Sequence, residues 1–128
     1  MLGTAFDNNK PIFLQIKDRV EDQIVNGQLK VDDQVPSTTQ LVQFYKINHA
    51  TVSKGMNLLV ESGVIYKKRG VGMFVAEGAK EKLIQKRKDS FLDEYVLPMM
   101  QEADKLGISE QELTIFMNQV KGRDNHEA

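Results

Sequence analysis

A mainly α-helical fold with one small β-hairpin is predicted for this chain by three observations. Apolar residues recur at helical spacing in three separate stretches before Gly63. Two short β-rich runs, Val64-Ile65-Tyr66-Lys67-Lys68 and Met73-Phe74-Val75, follow at once and flank the Gly-containing link Arg69-Gly70-Val71-Gly72. Past Glu77-Gly78 a long helical pattern and a shorter one complete the chain. Three helices and then a hairpin is the order of a winged helix-turn-helix. The expected organisation is therefore such a domain over residues 10–77 and a two-helix appendage over 78–122.

Residues 1–9 read as a mobile arm. Lys10-Pro11 then opens a helix, because proline suits a first turn. Ile12, Ile16, Val20 and Ile24 share one face of it, and Asn26-Gly27 is its stop signal. Lys30 to Asp33 read as a polar turn. Ser37 is a good N-cap for a short helix over about 38–45, and Asn48 for a third over about 49–62, which Gly63 ends. Val52, Met56, Leu59 and Val60 give that third helix an apolar stripe. Residues 79–106 read as one long helix that Pro98 should kink or strain. Ser109 and Glu112 fit a capping box for the last helix, and the tail from Gly122 reads as frayed.

Composition narrows the function classes. The chain has no Cys, which removes disulfides, a thiolate zinc site and a cysteine nucleophile. Its two histidines, His49 and His126, lie far apart, the second in the tail. No serine sits in a nucleophile elbow and no phosphate loop is present, so no catalytic residue is assigned and an enzyme is disfavoured. Gly70-Val71-Gly72 follows a strand but opens no helix, so it is not a dinucleotide loop. Asp32-Asp33 has no third ligand spaced to complete a metal site. No cofactor and no metal are expected. No apolar stretch approaches the roughly 18 residues of a membrane span, and the N-terminus lacks the pattern of a secretory signal. No membrane partner is expected, and the default location is the cytoplasm.

Charge alone does not point to nucleic acid. The net charge is -1, with 9 Lys/Arg against 8 Asp/Glu over residues 1–78 and 8 against 10 beyond. Placement carries the case instead. Ser37, Thr38 and Thr39 make a polar first turn on the second helix, where amides and hydroxyls suit phosphate. Asn48, His49, Ala50, Thr51, Ser53 and Lys54 lie at the start of the third helix, opposite its apolar stripe, where base edges in a major groove are read. Lys67, Lys68 and Arg69 are the densest basic run of the N-terminal half, and Gly70 permits close backbone approach. These residues are the expected contacts to double-stranded DNA. The plainer reading of the basic run is a solvated strand end. That of Ser37 is a cap alone, and that of Thr51 a packing residue.

In order along the chain, PIFLQIKDRVEDQIVNGQLK, VPSTTQL and INHATVSKGMNLLVESGVIYKKRGVGMFV resemble the N-terminal domain of GntR-type regulators, over about residues 10–76. The short C-terminal part is similar to the YtrA-like subgroup. The resemblance implies a dimerisation appendage, no large effector domain, and a regulator that is often a repressor. Three positions depart from the family pattern. Thr39 stands where an Arg usually contacts DNA, Lys46 where a Gly precedes the third helix, and His49 where Pro or Arg is common.

The appendage is expected to form a homodimer through Phe91, Leu92, Tyr95, Met99, Leu113, Phe116 and Met117, because an exposed stripe of this kind invites aggregation unless covered. Two reading heads then call for a pseudo-palindromic operator. Nothing in the sequence names a small-molecule effector. The competing reading is a winged-helix module that binds protein and no longer DNA, for which Thr39 and the near-neutral charge speak.

Overall fold

The structure, a computed structural model, describes residues 6–127, with side chains through Arg123. The expected arm falls partly outside this range, since residues 1–5 are not described. The remainder is not an arm. Phe6 packs on the core with its ring 4.9 Å from that of Tyr45, and the Arg19 guanidinium lies 4.1 Å from the Phe6 centroid. The buried Gln15 amide holds the next residues, donating to the carbonyls of Asp7 and Lys10 at 2.8 and 2.7 Å and accepting from the Asp7 amide. A buried amide needs such partners, and here backbone supplies them.

Helix α1 spans Ile12–Val25 and starts after Pro11, whose carbonyl accepts from the amides of Leu14 and Gln15. Ile16, Val20 and Ile24 are buried along one stripe, and Gly27 closes the helix at φ +82°. Helix α2 spans Thr38–Tyr45 and carries a reciprocal cap. The Gln40 amide donates to Ser37 Oγ at 3.0 Å, and the Ser37 amide donates to Gln40 Oε1 at 2.9 Å. Lys46 ends it in the left-handed region at φ +56°, where a β-carbon costs about 1–2 kcal/mol. Helix α3 spans His49–Glu61, with Asn48 Oδ1 accepting from the Thr51 amide at 2.8 Å.

Strands β1 (Ile65–Lys68) and β2 (Gly72–Val75) pair antiparallel, Tyr66 opposite Phe74 and Lys68 opposite Gly72. The stretch read as a polar turn continues into an edge of this sheet. The Asp32 amide donates to the Val75 carbonyl, the Val75 amide to the Asp33 carbonyl, and the Val35 amide to the Met73 carbonyl. Gln34 bridges Phe74. The stretch is too short and too polar to show the alternation that marks a half-buried strand.

The core lies where α1, α2, α3 and the hairpin meet, with Leu41, Val52, Met56, Leu59 and Val75 all nearly inaccessible. Helix α4 spans Ala79–Phe91, and its Ala79 and Leu83 belong to the same core. The first compact unit accordingly runs to Lys86, beyond the 77/78 boundary read from the motif.

The second unit begins at Arg87. The helix expected to kink or strain at Pro98 widens into a π-turn, Leu92–Val96, before α5, Leu97–Leu106. Pro98 has no amide hydrogen, and its ring crowds the carbonyl four residues back. Lengthening the bonding pattern to five residues over one turn accommodates such a block. Gly107 ends α5 at φ +67°, and α6 spans Glu110–Glu127 with the Glu112 amide donating to Ser109 Oγ. Helix α6 thus continues past Gly122, where fraying was expected. The side chain of His126 lies outside the described residues.

Candidate nucleic-acid interface

Helix α3 reaches the site through its packing. Val52, Gly55, Met56 and Leu59 are buried, so the opposite face is left to solvent. Gly55 allows close approach to α1: a β-carbon built there would lie 2.6 Å from the Phe13 carbonyl oxygen. Asn48, His49, Ala50 and Lys54 are exposed, and Thr51 and Ser53 are half-buried. The expected face is therefore presented as a face, although its members differ in what they have free.

Asn48 spends one lone pair of its carbonyl on the cap, which ties the side chain to the start of α3 and leaves its NH2 group free of the cap. His49 Nδ1 lies 3.3 Å from Ser53 Oγ, one turn along the helix. That contact fixes the ring's orientation and leaves Nε2 as the ring nitrogen turned away from Ser53. The Lys54 ammonium sits 4.1 Å from the Phe13 centroid, a cation–π placement that holds it toward α1.

At the start of α2, Thr39 is exposed and Ser37 and Thr38 are half-buried. The cap takes the Gln40 amide, which leaves Thr38 and Thr39 with the first-turn amides that a helix does not use itself. At the hairpin tip the Val71 amide donates to the Lys68 carbonyl at 2.9 Å and closes a turn over Arg69 and Gly70. Gly70 has φ +78°, which that turn requires. The Lys68 ammonium lies 4.9 Å from the Phe74 centroid and 6.0 Å from that of Tyr66, over their stacked pair. Arg69 has neither an ion pair nor a ring contact among the described residues, so the tip's uncommitted guanidinium is its own.

Two contacts from outside the hairpin support the tip. Tyr66 donates its hydroxyl to Asp32 Oδ1 at 2.7 Å, and Asp32 adopts φ +68°. That hydrogen bond, then burial, then the carboxylate's charge hold the Tyr66 phenol above its ordinary value, so it stays a neutral donor. Gln34 Nε2 donates to the Val71 carbonyl at 3.2 Å. No local pattern marks either pair, because the partners are more than thirty residues apart in sequence. Among the described residues no group of three or more His, Cys, Asp or Glu is placed to hold a metal ion, and no helix is long and apolar enough to cross a membrane.

A three-helix core with a capped second helix, an open third-helix face and a basic-tipped hairpin defines a winged helix-turn-helix DNA-binding domain. The family model described as bacterial regulatory proteins, gntR family, matches residues 13–75. The chain is 38% identical to a GntR-family transcriptional regulator from Bacteroides thetaiotaomicron, whose crystal structure it matches at a TM-score of 0.71 over 88% of this chain and 98% of that one. It is similar to two proteins of Bacillus subtilis (strain 168). These are the HTH-type transcriptional regulator YhcF, 28% identical over 88% of this chain and 91% of that protein, and the HTH-type transcriptional repressor YtrA, 26% identical over 88% and 86%. The DNA-binding domain of AraR in complex with operator ORX1 matches at 28% identity and a TM-score of 0.54, over 59% of this chain and 96% of that one. The chain belongs to the GntR family, and it is a DNA-binding transcription regulator.

Proposed function

We propose that this protein is a cytoplasmic repressor that binds a pseudo-palindromic operator as a homodimer. The observation that carries the reading is the exposed start of α3, set between a capped α2 and a hairpin whose tip holds an uncommitted Arg69. The likeness to an operator-bound domain supports the same use of these elements, and the repressor named among the relatives, YtrA, supports the sign of control. In this reading Thr38 and Thr39 take phosphate through their amides and hydroxyls, His49 reads a base edge, and Arg69 and Gly70 lie along the backbone or in the minor groove.

Dimerisation rests on the second unit. Phe91, Leu92, Tyr95, Met99, Phe116 and Met117 are exposed in the single chain, and Leu113 is half-buried. Between α5 and α6 lies an apolar groove of about 540 Å³, with Met99, Leu113, Phe116 and Val120 on its walls and Glu102 and Lys121 beside them. A two-fold axis presents the same patch from both subunits, so groups of opposite sign on one rim can meet their counterparts on the other.

Selection of bound duplexes from a random pool tests the reading. The expected result is a two-fold-symmetric site with half-sites about 10 bp apart. Affinity should fall steeply as salt rises, through release of counterions from phosphate. His49→Ala should blur one position in each half-site and leave the others sharp. Arg69→Ala should weaken all sequences alike and lower the salt slope by about 1. Identical base preferences in wild type and His49→Ala would remove His49 from the reading face, and an asymmetric single site would remove the dimeric operator.

A further inference from the structure

The hairpin tip carries Arg69 on a four-residue turn, and a two-stranded hairpin is by itself poorly fixed. Here something outside the hairpin grips that turn. Gly72 has φ +147° and lacks a β-carbon, and the space so opened is filled by the Gln34 side chain. A β-carbon at Gly72 would lie 2.4 Å from Gln34 Nε2. From this slot the Gln34 amide donates to the Val71 carbonyl, the last residue of the turn. The backbone of Gln34 pairs beside Phe74, and Val35, the next residue, is buried with its amide bonded to Met73. Two residues further on, Ser37 caps α2. One short, twice-anchored segment therefore joins the hairpin tip to the start of α2.

We propose that Gln34 is a positioning residue for DNA binding, which holds the Arg69 turn at a set pitch relative to the α2 N-terminus. It acts through Arg69 and touches no DNA itself. The inference rests on the reading that the tip meets DNA. A free hairpin samples pitches from which Arg69 misses the backbone, and the Gln34 amide removes them. The Tyr66–Asp32 bond fixes the other end of the same edge segment, so the Gln34 bond is the one nearest the tip.

The test is a double-mutant cycle with Gln34→Met, which keeps length and bulk but loses the donor, and Arg69→Ala, read by operator titration at several salt concentrations. Gln34→Met should weaken binding about fivefold, the effect of one hydrogen bond, and lower the salt slope in the direction Arg69→Ala does. In the Arg69→Ala background it should cost nothing further, because the group it positions is gone. Thermal unfolding of Gln34→Met should stay within about 2 °C of wild type, as for surface substitutions. Losses that multiply would overturn the proposal, since Gln34 would then act independently of Arg69. Unchanged affinity of Gln34→Met beside a weakened Arg69→Ala would overturn it alone. Unchanged affinity of Arg69→Ala would overturn the tip contact, and the proposal with it.

Discussion

Gly55→Ala is expected to destabilise the N-terminal unit by about 1–3 kcal/mol, the usual range for a methyl forced into a filled core. The direction follows from two opposed effects. Alanine favours a helix interior over glycine by up to about 1 kcal/mol, so at an exposed site this change would stabilise α3. At Gly55 the new carbon meets the Phe13 carbonyl oxygen at 2.6 Å and the Ile16 β-carbon at 3.6 Å. The nearer atom is backbone, so no rotamer change relieves it, and α1 and α3 must separate. Separation opens the packing of Ile16 and Val20 against Val52 and Met56, which is the centre of the core. It also parts Lys54 from the ring of Phe13. In a unit of this size the midpoint of thermal unfolding should fall by roughly 4–8 °C for each kcal/mol. A midpoint at or above that of wild type would show that the helices move apart without cost, and that Gly55 does not set their spacing. Operator affinity of the folded fraction should fall too, because α3 is displaced from the α2 cap and the hairpin that flank it.

What the sequence disclosed about the fold is what local chemistry controls. Ser37 and Asn48 are each followed by an amide three residues on that their side chains can accept, and both caps lie where that spacing puts them. The hairpin follows from two β-branched and aromatic runs around a glycine that needs positive φ. Legibility ended where partners are distant or where a side chain has two uses. Gln34 has no role that its neighbours in sequence disclose until Gly72 is seen beside it. Lys54 and Lys68 read as free cations until Phe13 and Phe74 are placed under them. Phe6 reads as part of an arm because no short-range pattern records its stacking on Tyr45. Pro98 announced a disturbance of the helix but not its form, since a kink and a π-turn both relieve the same clash. The departures from the family pattern bear on the site in the same way. Thr39 removes a guanidinium from the start of α2, which leaves the proposed reading face to rely on His49, whose ring Ser53 orients.

Phe116→Asp should convert the protein to a monomer at micromolar concentration and weaken binding to a full two-half-site operator by on the order of 100-fold or more, the loss expected when two linked heads become one. Phe116 lies on the wall of the α5–α6 groove and keeps 40% of its surface exposed in the single chain. That exposed part is what a partner could cover, and thermal unfolding of Phe116→Asp shows whether the part already packed in its own chain is lost too. Covering the 40% of Phe116 still exposed contributes about 1 kcal/mol, and two-fold symmetry counts it twice. An aspartate in the same place loses that term and puts a carboxylate into an apolar contact, where desolvation costs several kcal/mol per ion. The two losses together come to several kcal/mol, and each ~1.4 kcal/mol weakens the dimer tenfold. Affinity for an isolated half-site should stay at the wild-type value, because the α2 cap, the α3 face and the Arg69 turn all lie in the unit that ends at Lys86. Sedimentation or light scattering gives the mass, and titration of full and half operators gives the rest. A dimer mass retained by Phe116→Asp would place the interface away from this groove. A monomer that still held the full operator as tightly as wild type would separate operator binding from dimerisation altogether.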